Sequence, residues 1–111
     1  MRIGRYFLLP LMVASSFTNG MTIAEYQKLR TKDKVFSEVY IKGISDGFMY
    51  ANASQLNDKM PQLFCLPGNV DFNVYNYVSI LDSSIRKYPD YTQEDVAALL
   101  LLELQSKFPC N

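Results

Sequence analysis

The sequence predicts an all-α fold, a small bundle of roughly four helices with one disulfide, preceded by an N-terminal signal peptide. Apolar residues return at three- and four-residue steps in three separate segments, which is the period of a helix with one buried face. Residues that cap helices stand at the heads of the segments, and no stretch of useful length alternates as a strand does. Two cysteines, Cys65 and Cys110, complete the pattern.

Residues 1–20 read as the signal peptide. Arg2 and Arg5 give a positive start, Tyr6 to Val13 an apolar run, and small or polar residues follow up to Gly20. The run is too short to span a bilayer, and Pro10 would break a buried helix placed there. Cleavage after Ser16 or after Gly20 leaves a small residue at the cut, and Gly20 is favoured. Residues 21–111 then form the one helical domain.

Thr22-Ile23-Ala24-Glu25 is a capping box, in which the threonine hydroxyl serves the amide of Glu25 and the glutamate reaches back. A short helix from Ile23 to about Leu29 follows, and Arg30 to Lys34 reads as a turn. The second helix runs from Lys34 to about Asn52. Its expected buried face is Phe36, Val39, Tyr40, Gly43, Ile44, Gly47, Phe48 and Ala51. Each of the two glycines costs a helix about 1 kcal/mol relative to alanine, so close approach of another backbone is their expected purpose.

Ala53 to Phe64 reads as a loop that ends in the turn Cys65-Leu66-Pro67-Gly68. Asp71 is the expected cap of a third helix reaching about Lys87, with Val74, Val78, Leu81, Ile85 and Tyr88 as its stripe. Tyr88-Pro89-Asp90-Tyr91 breaks the chain, because proline disfavours helix at the residue before it. Thr92 is the expected cap of the fourth helix, whose core face is Val96, Leu99, Leu100 and Leu104. Leu101 and Leu102 widen its apolar band. Pro109 stops it, and Cys110 follows directly.

Composition narrows the chemistry. The whole chain has 11 basic and 11 acidic residues; without Arg2 and Arg5 the domain keeps nine basic against 11 acidic, a net of −2. That gives no basic footprint for nucleic acid and no polybasic run for a membrane surface once the leader is gone. There is no histidine, hence no histidine general base and no Ser-His-Asp or Cys-His arrangement. Asp46, Asp82, Asp90, Glu94 and Glu103 are the acids from which a hydrolytic pair would be drawn, but no spacing selects two of them. No catalytic residue, metal ligand or cofactor is expected, and the chain reads as a non-enzyme.

In an exported chain an even pair of cysteines 45 positions apart reads as a disulfide rather than a zinc site. Closing such a loop stabilises by about 4 kcal/mol in the chain-entropy view, a large share for a domain of this size. Eight tyrosines are many for so short a chain. Tyr75, Tyr77, Tyr88 and Tyr91 gather at or near the third helix and its closing turn, beside Arg86 and Asp90. Arg86, Tyr88, Asp90 and Tyr91 are therefore the expected partner-binding residues, since tyrosine and arginine dominate protein interfaces.

Taken together, Tyr40-Ile41-Lys42-Gly43-Ile44-Ser45-Asp46-Gly47, Cys65-Leu66-Pro67-Gly68-Asn69-Val70, Tyr88-Pro89 and Phe108-Pro109-Cys110 resemble the Rap/Tai-type immunity proteins of type VI secretion. The resemblance spans Tyr40 to Cys110 and matches Cys65 and Cys110 to the family's cysteines. It implies a small helical, dimer-forming protein of the periplasm that occludes the active-site cleft of a peptidoglycan amidase effector without chemistry of its own. A periplasmic stress chaperone, or another small exported helical binding protein, is the alternative from a different class; a small hydrolase is the remaining one.

Overall fold

The computed structural model describes residues 20–69 and 71–111. Among them are four α-helices: α1 (Ile23–Lys32), α2 (Lys34–Asn57), α3 (Val74–Lys87) and α4 (Val96–Lys107). Neighbours in sequence pack on each other, α1 on α2, α2 on α3 and α3 on α4. The all-α bundle read from the sequence is the observed one. The signal peptide lies outside the described residues except for Gly20.

The capping box of α1 forms as expected: Thr22 Oγ1 accepts from the Glu25 amide at 3.1 Å, and Glu25 Oε1 accepts from the Thr22 amide at 2.8 Å. The helix then continues to Lys32, past the expected end at Leu29. Asp33 alone makes the joint. Its amide donates to the Leu29 carbonyl at 2.6 Å and its carboxylate accepts from the Phe36 amide at 3.0 Å, so one residue ends α1 and begins α2.

Helix α2 also outruns its expected end and takes in Ala53 to Asn57, so the loop begins only at Asp58. Lys59 supplies the stop with a left-handed φ of 58°, and the Met60 amide returns to the Gln55 carbonyl at 2.7 Å. The buried side of α2 differs from the expected stripe as well. Ser37, Ile41, Ser45 and Asn52 are buried, and Tyr40, Ile44 and Phe48 pack against the core from the flank. Phe36 and Val39, both expected inside, are 57% exposed. The core-facing side lies about one residue further round the helix, roughly 100° of rotation.

Caps shift too. Asn73, not Asp71, begins α3: its side chain accepts from the Tyr75 and Asn76 amides, and Asn76 returns the bond. Asp95, not Thr92, caps α4 through the Ala97 amide at 2.8 Å. Thr92 instead serves α1, its carbonyl accepting from the Ala24 amide at 2.9 Å. With the Ile23 amide on the Glu94 carbonyl and the Val96 amide on the Met21 carbonyl, both 2.9 Å, this seam ties the start of α1 to the start of α4. Gly20 extends the seam, its amide donating to Asp95 Oδ2 at 3.1 Å. A side chain there would meet that carboxylate at 2.9 Å, so glycine suits the position.

Tyr26, Ile41, Phe64, Leu81, Val96, Leu100 and Leu104 form the centre of the core. Burial of such side chains stabilises by about 1.5–3 kcal/mol each, before the entropy of ordering the chain is counted. The disulfide joins Cys65 to Cys110 with their Cα atoms 5.1 Å apart. It is backed by the Cys65 amide on the Phe108 carbonyl at 2.8 Å and by Phe72, edge-on to both Tyr77 and Phe108. The last turn of α4 is thereby fixed to the segment between α2 and α3.

Candidate partner-binding site

Helix α3 ends at Tyr88, whose amide donates to the Ser84 carbonyl at 3.0 Å. Two further bonds coil the chain toward α4: the Tyr91 amide on the Tyr88 carbonyl at 3.1 Å, and the Glu94 amide on the Tyr91 carbonyl at 3.2 Å. With Pro89 fixing one φ, the turn has little freedom left to lose on binding. The rings of Tyr88 and Tyr91 stack, centroids 5.0 Å apart and planes within 9° of parallel. The Lys87 ammonium lies 5.3 Å from the centre of the Tyr88 ring, a cation–π distance.

Of the four expected site residues, Tyr88, Asp90 and Tyr91 fall on this turn, while Arg86 lies in the last turn of α3 and lines a groove with Arg30 and Asp82. Tyr88 is half-buried, whereas Arg86, Asp90 and Tyr91 are exposed. The wider tyrosine patch does not assemble. Tyr77 is buried against Phe72, and Tyr75 lies nearer the start of α3, where it lines a separate groove of about 290 Å³ with Arg30, Asp82 and Arg86. Sequence alone placed all four tyrosines by proximity along the chain; the helical turn separates them by face.

Charged groups behind the turn fix its base. Lys87 Nζ reaches Glu103 Oε1 at 3.5 Å, bringing α3 to the largely buried acid of α4. Arg30 pairs with Asp82 at 3.3 Å and approaches the Tyr26 hydroxyl at 3.4 Å, linking α1 to α3. Burial pushes the Asp82 carboxyl above its ordinary range, while the positive Arg30 and Arg86 oppose that shift. Burial likewise raises the Tyr26 hydroxyl, helped by the negative charge of Asp82 and opposed by Arg30. This pair of bridges was not read from the sequence, because both join residues far apart along the chain.

The acids considered for hydrolysis go separate ways. Asp46 pairs with Lys42 on the surface at 2.9 Å, Asp82 with Arg30 and Glu103 with Lys87, while Asp90 and Glu94 are exposed. Among the described residues no group of three or more acids or cysteines is placed to hold a metal ion.

A model of the Rap1a immunity proteins matches residues 14–110, and the chain belongs to that family. No curated protein and no solved structure matches the chain significantly.

Proposed function

We propose that this protein is an immunity protein that binds a toxin effector and neutralises it by occlusion, without catalysis. Membership of the Rap1a family over nearly the whole chain carries the reading. In its finer form the toxin is a peptidoglycan amidase delivered by type VI secretion, and the protein waits in the periplasm after loss of residues 1–20 as a leader. The turn Arg86–Tyr91 enters the enzyme's cleft, with Tyr88 and Tyr91 as apolar body and Arg86 and Asp90 as polar partners. A turn already closed by its own hydrogen bonds enters a cleft at small ordering cost. Self-association as a homodimer is the second interaction in this reading.

The test is inhibition. The exported protein, added to purified cell-wall amidases from strains carrying type VI secretion, should abolish turnover by one of them at stoichiometric concentration. Binding to an effector of another enzymatic class would replace the amidase while keeping the immunity role. Suppression of aggregation of denatured clients, with no toxin bound, would favour the chaperone instead.

A further inference from the structure

Helices α1 and α3 form the two walls of a long groove, bordered by the start of α2 at Lys34 and Glu38. Two adjoining hollows of about 380 and 290 Å³ make it up and share Arg30, Asp82 and Arg86. The α3 wall runs from Tyr75 to Arg86, roughly 16 Å of helix. That length takes about five residues of extended chain, far more than a single small ion.

The groove differs in charge from the rest of the domain. Three cations, Arg30, Lys34 and Arg86, line it against two acids, Asp82 and Glu38. From residue 21 onward the chain has nine basic and 11 acidic residues, so six and nine remain outside the groove. Arg30 is already set in place. Its side chain is 28% exposed; one amino group lies 3.3 Å from Asp82 Oδ2 and the other donates to the Tyr26 hydroxyl at 3.4 Å. These contacts occupy two of the five donors of a guanidinium. Arg86 stands exposed one helical turn beyond Asp82.

We propose that this groove is a second docking site, which takes an extended acidic segment of a partner protein with its carboxylates on Arg30 and Arg86. The proposal rests on the protein-binding reading above and adds the chemistry of what is bound. Arginine's planar fork meets a carboxylate with two parallel bonds, and an arginine held beforehand loses little freedom in doing so. Tyr75, 64% exposed at the far end of the α3 wall, offers a ring face to the same segment. Continuity supports the occupant. Arg86 lies in the last turn of α3, just before the turn that carries Tyr88 and Tyr91, so a partner seated on that turn has its adjoining chain led over the groove. Three cations interrupted by two acids are too few and too mixed to follow a nucleic acid backbone.

Amide chemical shifts of the isotope-labelled protein, with no toxin present, test this. The added ligand is a hexapeptide of alternating aspartate and glutamate, capped at both ends. Shifts should concentrate on the groove, at Gln27, Thr31, Ser79 and Arg86, and should fade as salt is raised. The same peptide built from asparagine and glutamine should shift nothing. Arg86→Gln should weaken binding about threefold or more, the size of one exposed charge pair. Lys107→Gln, at the end of α4 and outside the groove, should leave it unchanged. Arg30→Gln should weaken it as well, with the unfolding midpoint read alongside because Asp82 loses its partner. Arg86→Gln alone keeps the test open if that variant folds poorly. An absence of shifts at millimolar peptide, shifts spread over the whole surface, or equal binding by Arg86→Gln would overturn the proposal. Glutarate, two carboxylates without a chain, would overturn it too by binding as tightly as the peptide, since the site would then be one for a small anion. No enzyme takes part, so these outcomes stand apart from whether the protein neutralises a toxin.

Discussion

The turn Arg86–Tyr91 and the outward face of α2 both offer aromatic rings to solvent, but they are built in opposite ways. In the turn, the tyrosines stack on each other, a lysine lies near one ring, and successive carbonyls accept successive amides. On α2, Phe36, Val39 and Tyr50 have no such partners among the described residues, and two glycines between them weaken the helix. The first surface holds its shape before any partner arrives. The second is an apolar surface that its own chain supports less. Exposed aromatic area alone would not separate the two; what supports each ring does.

The disulfide is the strongest way to disturb one region and spare the other, for it lies beyond the opposite end of α4 from the turn. Replacing both cysteines with serine should cost about 2–5 kcal/mol in urea unfolding, and the midpoint should fall accordingly. A loss well under 1 kcal/mol would mean that Phe72, Phe108 and the Cys65 backbone bond hold this end without the staple.

Next in size is a contrast across α2 itself. Asn52 on the inner side donates to the Phe64 carbonyl at 3.1 Å and accepts from the Leu63 amide at 2.7 Å. Asn52→Ala strands the buried Phe64 carbonyl and the half-buried Leu63 amide and should destabilise by about 1–3 kcal/mol. Tyr50→Ala, two residues away on the outer side, should leave unfolding unchanged, because its side chain is exposed. Equal losses at the two sites would erase the distinction between the faces.

That contrast also marks where sequence reading succeeded and where it stopped. In α4 the expected face is the observed one, Val96, Leu99, Leu100 and Leu104 being buried, and in α3 Val78 and Leu81 are buried while Val74, Ile85 and Tyr88 pack half-buried on the core beside the buried Tyr77 and Ser84. In α2 apolar residues occur on both sides, and the core side includes Ser37, Ser45 and Asn52. Ser37 and Ser45 satisfy their hydroxyls on the carbonyls of Lys34 and Lys42. A hydrophobic period cannot find a face whose small polar residues bond back to their own helix. The caps of α3 and α4 were displaced for a similar reason: Asp71 and Thr92 were suitable, but Asn73 and Asp95 were suitable too, and tertiary contacts chose between them. The turn was legible because proline and tyrosine mark it locally. The Arg30–Asp82 and Lys87–Glu103 bridges beneath it were not, because they depend on how α1, α3 and α4 pack.

A smaller effect sharpens the picture of that base. Folding holds the Asp82 carboxyl above its ordinary range, so the stability it contributes is fully present below the unfolded value of about 3.9 and is lost as pH rises through the raised one. Asp82→Asn lacks this term. Its stability relative to wild type should therefore increase between pH 3 and pH 7 in thermal unfolding. A relative stability that falls over this interval would show that pairing with Arg30 outweighs burial.

The most direct measurement is the affinity of the cognate toxin effector for the Tyr88→Ala/Tyr91→Ala protein, read by calorimetry beside the wild type and a check of the unfolding midpoint. A loss of tenfold or more, about 1.4 kcal/mol or above, with the fold retained, is the expected result. Unchanged affinity in a folded variant would contradict it and remove the turn from the inhibitory surface.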